Sequence, residues 1–138
     1  MHILEVKGIT KNYGKRCVVR NLSLYVTTGE IVGLLGPNGA GKTTTFYMIV
    51  GMIKPENGSI FLDGEDIGQL PMNQKARRGI GYLPQEPSIF RKLTVRDNLR
   101  AVLEIKGYPD ADIAGMVEGL LDEFNLRGFA DRNGYRLS

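Results

Sequence analysis

Three things that this sequence has little of narrow the classes of protein to which it can belong. Its one cysteine, Cys17, excludes an intrachain disulfide and favours a reducing compartment. Its one histidine, His2, stands at the N-terminus, far in sequence from any candidate site. No apolar run approaches the roughly 20 residues of a membrane-spanning helix, and no secretory signal pattern opens the chain. We therefore expect a soluble, cytosolic chain that reaches a membrane only through a partner.

Charge of one sign is also not concentrated in any segment. The net charge is +3, the signs alternate along the chain, and no block of about five or six like charges occurs. The one small basic cluster, formed by Lys75, Arg77 and Arg78, is interpreted as a solvated helix end. We therefore expect no nucleic-acid partner.

What the sequence does have is a glycine-rich loop between a predicted strand and a predicted helix. The loop fits the pattern G-x-x-x-x-G-K-[ST] at every fixed position. Its residues are Gly36, Pro37, Asn38, Gly39, Ala40, Gly41, Lys42 and Thr43. The apolar run 31–35 predicts a buried parallel strand before the loop, and apolar residues at helical spacing predict a helix over about 42–53.

The chemistry of this loop indicates a site for a nucleoside triphosphate with Mg²⁺. Backbone N–H groups in such a loop, and the positive end of the helix behind it, suit phosphate oxygens. Lys42 would bring a charge to the β- and γ-phosphates, and the Thr43 hydroxyl is placed to bind Mg²⁺. The loop is therefore the main candidate site of the chain.

The remaining periodicity predicts an α/β fold. Alternating apolar residues at 3–9 and 17–26 predict an antiparallel layer of half-buried strands. Further strands are predicted at 59–62 and 79–85, and the predicted helices are a short one opened by Pro71, one capped by Thr94 with Asp97, and one over 113–124. We expect a partial P-loop NTPase core with an N-terminal antiparallel β subdomain and a helical segment at the C-terminal end. The expected boundaries are 1–30, 31–90 and 91–138.

Two residues outside the loop have interpretations that the residues alone leave open. Tyr13 stands in a polar turn near basic residues, where it either stacks on an adenine ring or is an ordinary turn tyrosine. Gln85 begins a loop after a predicted strand that Pro84 ends. It either reaches a metal-bound water or a substrate phosphate, or it is solvated, and the residue alone favours solvation.

One acidic pair resembles a catalytic site but is interpreted as a helix surface. Asp122 and Glu123 follow two leucines, as the Mg²⁺-binding aspartate and the catalytic glutamate follow an apolar strand in many phosphate-loop ATPases. However, Glu118 and Gly119 interrupt the apolar run, and the segment keeps helical periodicity. The sequence therefore contains the residues for binding a nucleotide and no convincing residues for hydrolysing it.

The phosphate loop, Gln85 in a loop after a strand, and the helical segment that follows together resemble the nucleotide-binding subunit of ABC transporters. The stretches 29–50 and 77–99 are most similar to the ATPases of lipopolysaccharide-export systems, although amino-acid importers share much of the pattern. The resemblance covers all 138 residues. Leu137 and Ser138 match the start of the family's Leu-Ser-Gly-Gly signature, so we expect an N-terminal fragment that does not hydrolyse ATP by itself.

The resemblance implies roles around the nucleotide. Tyr13 would stack on the adenine of ATP, and Arg16 and Val18 would flank the base and the ribose. Thr44 would join the phosphate loop. Gln85 would contact Mg²⁺ and the attacking water and would report the nucleotide state to the membrane subunits.

The resemblance also implies partners. Phe90, Arg91 and Leu93 fall where the family forms a groove for a coupling helix of the membrane-spanning subunits. The full-length ATPase would form a homodimer on the cytoplasmic face of the inner membrane and would couple ATP binding and hydrolysis to lipopolysaccharide export. The alternatives are a branched-chain amino-acid importer ATPase, a non-transport member of the family that acts on DNA or ribosomes, and, more distantly, a phosphate-loop kinase.

Overall fold

The computed structural model describes residues 1–86 and 88–137. Ser138, the second residue of the expected signature start, and Pro87 lie outside the described residues. The chain forms two compact units, Met1–Tyr82 and Leu83–Ser138. The chain combines an antiparallel sheet with several helices, which is consistent with the predicted α/β class, a partial phosphate-loop fold.

The first unit contains an antiparallel sheet with strand order β2-β1-β3-β4. Its strands are β1 (Ile3–Tyr13), β2 (Arg16–Thr27), β3 (Asn57–Leu62) and β4 (Glu65–Asp66). Val6 of β1 lies opposite Leu24 of β2 and Ile60 of β3, and it is almost fully buried. The antiparallel layer that the alternation at 3–9 and 17–26 predicts is therefore present, and a third strand extends it.

The core of the first unit lies between this sheet and helix α1 (Lys42–Val50), which follows the phosphate loop. Its buried members are Val6, Ile9, Val19, Met48, Ile49, Ile60 and Ile67. Burying an aliphatic side chain of this size contributes about 1.5–3 kcal/mol to the free energy of folding. The packing of Met48 and Ile49 on the sheet therefore fixes the helix that carries the phosphate loop.

Two predicted strands are wrong. Residues 31–35 and 79–85 form no strand, and Ile31, Leu35 and Leu83 are 98%, 93% and 91% exposed. An apolar run indicates a tendency to be buried, but a parallel strand also needs neighbouring strands that pair with its backbone. Within the described residues neither segment has such a neighbour, so each lacks regular secondary structure.

In the basic cluster at helix α2 (Met72–Arg77), Arg77 and Arg78 are exposed at the helix end as predicted, but Lys75 is not. Lys75 is fully buried, and its Nζ donates hydrogen bonds to the carbonyl oxygens of Met48 and Ile49, both at 3.0 Å. These carbonyls lie in the last turn of α1, where a helix has acceptors without helical partners. Burial lowers the pKa of Lys75 to about 8, and the nearby Asp66 opposes this shift. A lysine thus caps the phosphate-loop helix at its C-terminal end.

The second unit contains helices α3 (Val95–Ile105) and α4 (Asp110–Glu123), followed by short 3₁₀ turns at Arg127–Phe129 and Gly134–Arg136. Its buried apolar residues are Val95, Leu103, Ile113, Val117, Leu121 and Ala130. The Thr94 hydroxyl accepts a hydrogen bond from the Asp97 N–H at 3.0 Å, so the predicted N-cap of α3 is confirmed. No helix among the described residues has the length and apolar character needed to cross a membrane.

Ion pairs connect the helices of the second unit. The Glu118 carboxylate of α4 pairs with both Arg96 of α3 and Arg127. Arg127 also donates from Nη2 to Asp122 at 2.6 Å. The hydrogen bond from Arg96 is the main cause that lowers the pKa of Glu118. Asp122 therefore lies on a helix surface, as its periodicity predicts, and not at the end of a buried strand.

The buried lysine predicts an unusual dependence of stability on pH. The folded-state pKa of Lys75, about 8, lies below its ordinary value of 10.5, so the unfolded chain binds more protons between these two values. The free energy of unfolding of the wild type should therefore rise, relative to Lys75→Met, as the pH increases through this window. The slope should be at most about 1.4 kcal/mol per pH unit.

Urea unfolding of both proteins from about pH 7 to about pH 10 measures this difference. Lys54→Met, which removes an exposed lysine, is the matched control for the loss of one positive charge. A difference between wild type and Lys75→Met that stays constant across this range would contradict the account of Lys75.

Candidate nucleotide site

The hairpin of β1 and β2 presents an aromatic ring at its tip. Tyr13 is the last residue of β1 and pairs with Arg16, the first residue of β2. The ring is about half exposed, with a relative exposure of 52%. The Lys11 ammonium lies 5.8 Å from the centroid of the ring. An exposed aromatic face beside a basic residue is a suitable surface on which a nucleobase can stack.

The phosphate loop packs directly against β2 of the same hairpin. A Cβ atom at Gly41 would lie 2.4 Å from the Val18 carbonyl oxygen, which is closer than any side chain tolerates, and 3.0 Å from Val19 Cγ2. Gly41 also has a positive φ of 85°, a conformation that glycine adopts without strain. Glycine at this position therefore allows the loop to approach the strand.

One basic side chain of the hairpin also lies beside the loop. A Cβ atom at Gly39 would lie 3.7 Å from Arg16 Nη2, so the guanidinium stands beside the loop. Of the residues predicted to flank the nucleotide, the structure thus brings Arg16 and Val18 to the phosphate loop, with Tyr13 across the hairpin from Arg16. Their roles toward a base and a ribose stay predictions.

Helix α1 begins with free backbone donors. Its N-cap is Gly41, and no side chain caps this end of the helix within the described residues. The Thr45 hydroxyl bonds to the Gly41 carbonyl and stiffens the first turn without covering the N–H groups. An uncapped helix N-terminus that follows a glycine-rich loop is a favourable site for phosphate oxygens.

Lys42 folds back onto its own loop. Its Nζ donates to the carbonyl oxygens of Gly36 at 2.6 Å and Pro37 at 2.7 Å. An ammonium group has three donors, so it can exchange these carbonyl bonds for bonds to phosphate oxygens without losing its hydrogen bonding. These bonds therefore hold the Lys42 ammonium at the loop.

The donor set around the loop fits Mg²⁺ that arrives with a nucleotide. Thr43 is exposed and offers a hydroxyl oxygen. No cluster of three or more histidine, cysteine, aspartate or glutamate side chains that could hold a metal occurs among the described residues. Because Mg²⁺ commonly keeps several waters and binds through one or two protein oxygens plus substrate phosphates, a single hydroxyl suits this arrangement.

The remaining predicted site residues lie in the second unit. Gln85 is exposed, and its role toward Mg²⁺ and water stays a prediction. The side chains of Phe90 and Leu93 are 52% and 36% exposed, and Arg91 is exposed as well. The segment that carries the predicted partner groove therefore presents apolar side chains at the surface.

Two residues that sequence reasoning missed hold this segment in place. Asn98 of α3 accepts from the Phe90 N–H at 2.8 Å and donates to the Phe90 carbonyl at 3.1 Å. A Cβ atom at Gly134 would lie 2.9 Å from Ile89 Cδ1, so glycine allows the following turn to pack against the segment. For Asn98 and Gly134, the only signal in the sequence is the position of Asn98, four residues after the Thr94 N-cap.

Comparisons with known proteins agree with this geometry. The family model described as ABC transporter matches residues 19–138. The lipopolysaccharide export system ATP-binding protein LptB of Haemophilus influenzae is 54% identical over 139 residues, which cover 100% of this chain and 58% of the relative. LptB of Acidithiobacillus ferridurans is 51% identical over 136 residues, which cover 99% of this chain and 56% of the relative. The chain thus spans a little over half the length of these relatives.

Solved structures of ABC transporter ATP-binding cassettes are also similar to this chain. An ATP-binding cassette of an ABC transporter in its ADP conformation matches with a TM-score of 0.81 and 26% identity, covering 100% of this chain and 59% of that one. A nucleotide-free ATP-binding cassette matches with a TM-score of 0.80 and 28% identity, covering 100% of this chain and 60% of that one. The predicted similarity to ABC transporter ATP-binding subunits, and to those of lipopolysaccharide export, is confirmed. Because the family model covers most of the sequence, the chain belongs to the ABC transporter family.

Proposed function

We propose that these residues bind ATP with Mg²⁺ as part of the ATP-binding subunit of an ABC transporter. The observation that carries the proposal is the close approach of the phosphate loop to β2, with Gly41 against Val18 and Gly39 beside Arg16. Arg16 in turn pairs with Tyr13 in the hairpin. The N–H groups that donate to the phosphates and the aromatic ring that stacks on the base then belong to the same packed unit.

Each side chain has a distinct role in this proposal. The loop N–H groups and Lys42 bind the β- and γ-phosphates, while Thr43 binds Mg²⁺, which supplies positive charge that neutralises the phosphates. Thr44, the next residue of α1, continues the phosphate site. The adenine stacks on Tyr13, and Arg16 and Val18 flank the base and the ribose.

The transport role is proposed from the relatives and from the second unit. Two relatives that are 51% and 54% identical are named as ATP-binding proteins of lipopolysaccharide export. We therefore propose that this chain also belongs to a lipopolysaccharide-export system. In this role Gln85 contacts Mg²⁺ and the attacking water. The full-length subunit acts as a homodimer on the cytoplasmic face of the inner membrane. It contacts membrane-spanning subunits through the groove at Phe90, Arg91 and Leu93.

The phosphate site predicts the effect of removing its cation. Lys42→Ala should weaken MgATP binding by about tenfold or more, because a hydrogen bond to a charged group contributes about 1.5–3 kcal/mol. Isothermal titration calorimetry of the 138-residue chain with MgATP measures the change. Lys54→Ala, which removes an exposed lysine beyond α1, should bind like the wild type.

Equal affinity of Lys42→Ala and wild type would contradict the proposed site. The same samples test the expectation of binding without turnover, which rests on the placement of Asp122 in the surface of α4 and its pairing with Arg127. Phosphate release by the wild type should not exceed that of Lys42→Ala. Phosphate release clearly above that of Lys42→Ala would mean that the 138-residue chain supplies its own general base.

The proposed groove predicts a separation of binding functions. In the full-length subunit, Phe90→Ala should reduce co-purification with the lipopolysaccharide-export membrane subunits by about fivefold or more, because it removes a large exposed aromatic side chain. Its affinity for MgATP should stay unchanged. Phe124→Ala, which removes another exposed aromatic of the second unit, is the control. Undiminished co-purification of Phe90→Ala would exclude this groove as the contact surface.

A further inference from the structure

The carboxylate of Glu56 binds the hairpin strand immediately before Tyr13. Its Oε2 accepts hydrogen bonds from the Asn12 side-chain amide at 2.6 Å and from the Asn12 backbone N–H at 3.3 Å. Its Oε1 lies 3.6 Å from the Lys11 ammonium. The Glu56 backbone N–H also donates to the Thr10 carbonyl at 3.0 Å. One residue of the connection between α1 and β3 therefore contacts three successive residues of β1.

These contacts occur where the pairing of β1 with its neighbouring strands is irregular or has ended. The pairing of β1 with β3 ends at Thr10, which lies opposite Asn57. On the other side, the register of β1 with β2 shifts between Ile9 and Lys11 and again between Lys11 and Asn12. Irregular registers of this kind bend a strand and weaken its ladder of hydrogen bonds. Glu56 thus takes the place of β3 as the partner of the last residues before Tyr13.

Glu56 also restrains the cation beside the Tyr13 ring. Lys11 pairs with the Glu56 carboxylate at one side, and its ammonium lies 5.8 Å from the Tyr13 ring centroid. The hydrogen bonds from Asn12, together with the charge of Lys11, lower the pKa of Glu56. The carboxylate therefore stays charged at neutral pH and remains available to pair with Lys11, whose side chain is only 19% exposed.

We propose that Glu56 is a positioning residue that fixes Tyr13 for stacking on the nucleobase. This inference rests on the proposed function, since it assumes that Tyr13 contacts the base of ATP. Glu56 contacts neither phosphate nor metal in this scheme. Its effect should therefore be specific to the base and should pass through Tyr13.

The test compares a ligand that has a base with one that has none. Calorimetry measures the affinity of the chain for MgATP and for magnesium tripolyphosphate, in wild type, Glu56→Ala, Glu56→Gln and Tyr13→Ala. Glu56→Ala should weaken MgATP binding by about fivefold, the equivalent of about one net hydrogen bond, and should leave tripolyphosphate binding unchanged. Glu56→Gln, which keeps the side-chain length and one acceptor, should fall between wild type and Glu56→Ala.

A double-mutant cycle and a control complete the design. In the Tyr13→Ala background, Glu56→Ala should cause no further loss of MgATP affinity. Glu65→Ala removes a carboxylate of the same unit that pairs with Arg78, away from the hairpin, and should leave both affinities unchanged. A general loss of structure would instead reduce binding of both ligands to a similar extent.

The outcomes separate the inference from the function on which it rests. A Tyr13-dependent preference for MgATP over tripolyphosphate that survives unchanged in both Glu56 variants overturns the inference alone. An equal loss for both ligands in the Glu56 variants also overturns it, because the role would then be purely structural. If wild type and Tyr13→Ala bind MgATP equally, the proposed base site is wrong, and the inference is overturned with it.

Discussion

The contact between Gly41 and the Val18 carbonyl is the constraint on which the rest of the site depends. A single added carbon at Gly41 would stand 2.4 Å from that oxygen, so the loop rests on β2 only because the residue is glycine. Val18 lies two residues after Arg16 and in the same hairpin as Tyr13. The contact therefore fixes the separation between the end of the site that suits phosphates and the end that suits a base.

The helix that follows the loop is held at its other end by an unusual group. Lys75 reaches the last turn of α1 from α2 and donates to two of its carbonyl oxygens. A buried positive charge at a helix C-terminus is favoured by the helix dipole, which offsets part of its desolvation. The glycine contact at one end and the lysine cap at the other together orient the helix whose N-terminus we propose as the phosphate site. Glu56 has a comparable role for the hairpin, since it restrains the segment that ends at Tyr13.

The parts that sequence could predict depend on local patterns, and the parts that it missed depend on distant partners. Alternation predicted β1 and β2, helical spacing predicted α1 and α4, and the Thr94 cap was correct. The apolar run 31–35 and the segment 79–85 suggested strands, yet strand formation requires a neighbour that the segment itself does not specify. Lys75 looked solvated because its acceptors lie more than twenty residues earlier in the chain. Glu56 was not among the candidate residues, because its link to Asn12 spans 44 residues.

The most direct test of this account is an amide NMR titration of the ¹⁵N-labelled chain with MgATP. The account predicts that chemical-shift changes concentrate in two stretches that are separate in sequence, 36–44 of the phosphate loop and 13–18 of the hairpin. Shifts confined to one of these stretches, or located mainly in other parts of the chain, would contradict the claim that the Gly41 contact joins them into one nucleotide site.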